Sequence, residues 1–161
     1  FGFFQELSGA DVVRIAANAA GTESITPPVL SAAFGNVDAL GTVVRSGYRF
    51  RMYLPDAAAL PIPENNGGGG IGTTVDPSVS EVLWCCYAWP TSYGNSGKRT
   101  FFVSQSGDVL GCRNSVAQYG LDATRQPAGL DAFVGASMAS TIAANTTGVN
   151  ATNPEFWVVV Q

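Results

Sequence analysis

Histidine is absent from all 161 positions. That removes Ser-His-Asp and Cys-His nucleophile systems, HExxH metal sites and imidazole proton transfer together. Charge is scarce as well. Only 12% of residues are Asp, Glu, Lys or Arg, against roughly 25% in an ordinary soluble domain. The 8 basic and 12 acidic side chains leave a formal charge of −4. No basic run follows a phosphate backbone, so nucleic acid is not an expected partner. No stretch reaches the ~18 consecutive apolar residues of a spanning helix. Ser92 and Ser96 have neither a histidine partner nor a lysine at SxxK spacing, and no catalytic residue is expected.

Cysteine is limited to Cys85, Cys86 and Cys112. Neighbours on a strand point to opposite faces, so Cys85 and Cys86 cannot both meet one cross-strand partner. A bridge from Cys86, or from Cys85, to Cys112 across a hairpin is expected. Three buried thiols, or a vicinal or intermolecular bond, are the alternatives. Three cysteines without histidine and without a CxxC pair do not form a zinc set, and no cofactor is expected.

What is present is a folding composition. Apolar residues make up 46% of the chain, and the length suits one domain over 1–161 with a sizeable core. The chain opens Phe1-Gly2-Phe3-Phe4 without methionine, charged leader or long apolar segment, and a segment ahead of it is expected. Val12, Ile15, Ala16 and Ala19 recur near helical spacing, predicting a short N-terminal helix that Gly21 and Pro27-Pro28 end. Tyr48, Phe50, Met52 and Leu54 alternate with Arg49, Arg51 and Tyr53, predicting a strand over 43–54 with one buried face. Residues 56–80 hold Pro61, Pro63, Gly67 to Gly70 and Pro77, and read as a Gly/Pro-rich loop insertion without a phosphate-binding pattern. Val82 to Tyr87, Arg99 to Ser104 and Val109 to Cys112 are further strands, the last two joined by the Ser106-Gly107-Asp108 turn. A helix over Asp131 to Ala143 and a strand or docked tail over Pro154 to Val160 complete the reading.

Few residues suggest chemistry. Asp56, Glu64, Asp76 and Glu81 are scattered carboxylates that read as solvated. If calcium binds, Asp76, Glu81 and Asp108 are its ligands. Lys98-Arg99 is the only adjacent basic pair and reads as exposed charge at a turn. Trp84, Tyr87, Trp89 and Tyr93 read as strand-and-turn core, with Trp84, Trp89 and Tyr93 as the candidates for an interaction surface. Asn145-Thr146-Thr147 and Asn150-Ala151-Thr152 match glycosylation sequons.

The segments GYRFRMYLP, from Gly47 to Pro55, and WCCYAWPTSYGNSGKRTFFVSQSGDV, from Trp84 to Val109, give the chain a resemblance to bacterial prepilin-related proteins. It resembles the globular ends of type IV pilins and type II secretion pseudopilins. The resemblance implies an α+β domain, an antiparallel sheet of three to five strands with an N-terminal helix and irregular loops. It also implies an upstream helix that anchors the precursor in the inner membrane and packs in an assembly. The expected function is then a noncatalytic extracytoplasmic structural or assembly module, periplasmic or at the cell surface. Its partners would be further copies, a filament or cell-envelope proteins. The alternative is a secreted binding or adhesion module using the aromatic surface.

Overall fold

The computed structural model describes residues 1–150 and 154–160. The second part of the Asn150-Ala151-Thr152 sequon lies outside them. The fold is α+β and is dominated by one antiparallel sheet of eight strands: β1 (Val43–Arg45), β2 (Tyr48–Pro55), β3 (Pro61–Pro63), β4 (Cys85–Pro90), β5 (Thr100–Ser104), β6 (Val109–Cys112), β7 (Thr146–Thr147) and β8 (Phe156–Val159). Their order is β1-β2-β4-β5-β6-β8-β7, with β3 paired to β2. The expectation of three to five strands is therefore corrected. The extra pairs come from pieces of two to four residues, too short to show alternation, which dock on the edges of the legible strands.

The predicted 43–54 strand is a hairpin. Ser46 and Gly47 both have positive φ, 50° and 80°, the pairing of a two-residue turn whose twist matches the flanking strands. From β2 onward the register is continuous: Phe50 faces Ala88, Ala88 faces Phe101, and Phe101 faces Gly111.

Neither helix forms where predicted. Among the described residues α-helix is confined to α1 (Phe4–Leu7) and α2 (Pro77–Ser80), with 3-10 turns at Ala16–Asn18 and Ala32–Gly35. Residues 13–21 fold back on themselves, with Ile15 N–H bonded to Ala19 O at 2.9 Å and Gly21 N–H to Val13 O at 3.0 Å. Ala17 and Asn18 occupy the left-handed region at the bend. Residues 132–143 likewise form a narrow loop, Ala143 N–H reaching Ala132 O at 2.7 Å. In the second segment the apolar positions Ala132, Phe133, Met138 and Ala143 are buried against the sheet, whereas in the first Ile15, Ala16 and Ala19 are exposed.

The alternation along β2 predicted one buried face, but both faces carry a core, the second covering only part of the sheet. One carries Tyr53, Cys85, Tyr87, Trp89, Phe102, Leu110 and Trp157 beneath the irregular 114–144 segment. The other carries Val43, Met52 and Leu54 beneath Phe3 and Phe4. An irregular layer over a sheet needs partners for its backbone groups, and buried side chains supply them. Tyr53 Oη donates to Pro127 O at 2.7 Å, and Tyr87 Oη donates to Gly129 O and accepts from Ala132 N–H. Asp131 accepts from Tyr119 Oη and Ala128 N–H, while Trp157 Nε1 donates to Asp131 O.

No disulfide forms. All three cysteines are free thiols, which corrects the Cys86–Cys112 pairing. Cys86 faces Val103, and Val103 faces Val109, three residues short of Cys112 and one full strand further across. Two inter-strand spacings and three residue rises separate the two positions by roughly 14 Å, well beyond the ~7 Å limit for bridging. Cys86 and Cys112 also lie in the cores on opposite faces. Burial pushes both Cys86 and Cys112 up to about 12 and Cys85 well above the ordinary thiol value. The intact mass should be the same with and without reductant, and alkylation of the native protein should be slow, with half-buried Cys86 reacting first. A mass lower by two hydrogens before reduction would refute this.

Candidate functional site

The most developed apolar recess lies on the Met52 face of the sheet. Its floor is two cross-strand rows: Phe50, Ala88 and Phe101, then Met52, Cys86, Val103 and Val109. Its wall is the N-terminal segment, through Phe1, Phe4, Leu7, Leu30 and Phe34. The recess has a volume of about 450 Å³. Ring contacts stiffen the wall, Phe4 tilted against Phe34 at 5.2 Å and Phe34 edge-on to Phe50 at 5.7 Å between centroids. Beyond the wall the sheet is bare, and Val109 is 42% exposed.

Two buried carboxylates hold the wall in place. Glu64, only 2% exposed, accepts Phe4 N–H at 3.1 Å and Gln5 N–H at 2.9 Å. Burial pushes its carboxyl up to about 7, the two amide bonds pull it back, and Glu6 nearby raises it further. Glu6 accepts Phe3 N–H at 2.8 Å and pairs with Arg14 Nε at 2.6 Å. Glu64 is thus a structural clamp and not the solvated carboxylate expected.

The glycine run expected as a loop packs tightly here. A Cβ on Gly70 would lie 2.7 Å from Phe3 Cε2 and 2.8 Å from Arg14 Cδ. Gly68 N–H also donates to Gln5 Oε1 at 3.0 Å. Glycines let this backbone lie against the Phe3 ring, where any side chain would collide.

Trp84 stands at one end of the recess against Phe1, with centroids 5.6 Å apart. Among the described residues its buried Nε1 has no partner. At the other end Arg99 lies over Phe101 at 5.2 Å and Arg45 over Phe34 at 5.5 Å. The three aromatic candidates do not converge. Trp89 is 1% exposed and belongs to the core on the other face. It lies five residues along the strand from Trp84, roughly 16 Å away, while Tyr93 is in the turn beyond β4. Reasoning from sequence placed Phe50 and Met52 on one face of the sheet but did not read that face as a recess.

The other candidates have local roles. Asp76 caps α2 by accepting Val79 N–H at 2.9 Å, and Asp56 accepts Ala58 and Leu60 N–H in its own turn. Ser96 Oγ donates to Ser92 O within a turn. Among the described residues no three Cys, Asp or Glu side chains are grouped to hold a metal ion, and no helix is long and apolar enough to cross a membrane. The recess offers apolar surface, one high-pKa thiol and an indole N–H. Its chemistry is that of docking an apolar element. No family model, curated protein or solved structure matches the chain.

Proposed function

We propose that this chain is a noncatalytic, extracytoplasmic assembly module of the prepilin-related kind, whose bare sheet face receives an apolar helix. The single observation that carries the reading is the apolar floor of Phe50, Met52, Ala88, Phe101, Val103 and Val109, left half open beside the N-terminal wall. Water in contact with such a surface is released when an apolar element covers it. The occupant is the helix that the resemblance places ahead of Phe1. Phe1 forms the rim of the recess beside Trp84, so a helix leading into it would arrive with its C-terminal end there. The last carbonyls of a helix lack partners within it, and the orphan Trp84 Nε1–H is a donor for one of them.

The test is the intact mass and N-terminal sequence of the mature protein from its native source. An apolar helix ahead of Phe1 is the expected result. A native terminus at Phe1 would overturn the reading and leave a released module with an open apolar face.

A further inference from the structure

Clusters of exposed cations and exposed acids stand at opposite ends of the sheet. β2 and β8 start, and β4 and β6 finish, at the end marked by Tyr48, Pro90, Cys112 and Phe156. Four exposed cations stand there: Arg45, Lys98, Arg99 and Arg113. Among the described residues none of them is in an ion pair. The acids at that end are engaged: Asp38 pairs with Arg49 at 2.5 Å, Asp122 with Arg125 at 3.5 Å, and buried Glu155 accepts the Val116 and Ala117 N–H groups.

The opposite end, where β2 finishes and β6 begins, carries exposed Glu81 and Asp108, with half-buried Asp56 and Asp76 accepting backbone N–H groups in their own turns. Arg14, which shares a surface recess with Pro77 and Ser80, is paired to Glu6. Each end also exposes apolar surface inside its charges. Phe156 is 53% exposed beside Arg113 at the basic end, and Val82 is 62% exposed beside Glu81 at the acidic end.

We infer that copies of this chain associate head to tail along the strand direction, the Arg99–Arg113–Phe156 end of one meeting the Glu81–Val82–Asp108 end of the next. The two patches are different, so the contact is heterologous and repeats from copy to copy. Complementary charge sets orientation and encounter, while the apolar centres supply the burial that exposed ion pairs alone lack. This deepens the assembly reading and rests on it, naming a second copy as the partner and the sheet ends as the contact. The helix-receiving face is left free.

The test is sedimentation velocity across a concentration series at low and high salt, on the wild type and two double variants. The wild type should self-associate at low salt and weaken as salt screens the charges. Arg99→Glu with Arg113→Glu should weaken self-association by about tenfold or more, as should Glu81→Lys with Asp108→Lys. An equimolar mixture of the two variants should associate again, because each keeps one native end. That recovery also shows that both variants fold. A wild type that stays monomeric at low salt overturns the inference, as does association that both variants retain or a mixture that fails to recover. Association blocked by Phe101→Asp but indifferent to the charge reversals would overturn this contact while keeping assembly through the sheet face.

Discussion

Raising the pH from about 5 to about 8 should cost the folded protein about 3 kcal/mol of stability, because a carboxyl held near 7 when folded returns to its ordinary value when unfolded. The group is Glu64, pushed up to about 7 from 4.5 chiefly by burial. The folded state binds the proton more tightly than the unfolded state. Its contribution is therefore complete below pH 4.5, falls as pH rises through 7, and is lost above it. Asp131, also raised by burial, acts in the same direction. Asp38, held low against the cost of burial by its bonds to Thr42 and Arg49, titrates below this window. Urea unfolding at a series of pH values measures the slope. Glu64→Gln should flatten most of it and lower stability at pH 5 by about 1–3 kcal/mol, since the amide presents one acceptor to the two N–H groups of Phe4 and Gln5. A stability that is flat or rising across the window would refute the account.

Trp157→Ala should be among the most damaging single substitutions, costing about 3–5 kcal/mol in urea or thermal unfolding. The indole is fully buried and faces Cys112 across the β6–β8 pair. It packs edge-on against Tyr87 at 6.0 Å and Phe102 at 6.2 Å. Its Nε1 donates to Asp131 O at 2.9 Å, tying the irregular layer to the sheet. Trp157→Phe separates the two contributions. It keeps most of the apolar volume but leaves the Asp131 carbonyl without its donor, and should cost about 1–3 kcal/mol. A loss below about 1 kcal/mol for the alanine variant would mean that β8 is not integral to the core.

Legibility followed the length of each element. The strands at 48–55 and 100–104 were readable because their alternation extends over several residues, and that at 109–112 from the turn ahead of it, while the strand expected over 82–87 is displaced to 85–90. β3 and β7, of three and two residues, contain too few positions to show any period. The helices expected from Val12 to Ala19 and from Asp131 to Ala143 did not form. An apolar spacing close to 3.6 also arises when a folded-back loop touches a sheet at intervals, as Ala132, Phe133, Met138 and Ala143 do, and propensity is weak against tertiary contact. The aromatic candidates do not form one surface. Trp84 and Trp89 are of opposite parity on one strand path, so burial of one in the Tyr87 core places the other on the far face.

By itself the sequence determined the absence of imidazole chemistry, the central antiparallel strands and the scarcity of charge. These depend on residue identity or on periods within one segment. Only the tertiary structure decided that both sheet faces carry a core, that Cys86 and Cys112 lie apart, that Glu64 is buried, and that exposed charge separates to the two ends. Each of those depends on which distant segments meet, a matter of register and docking between elements that a local pattern does not encode.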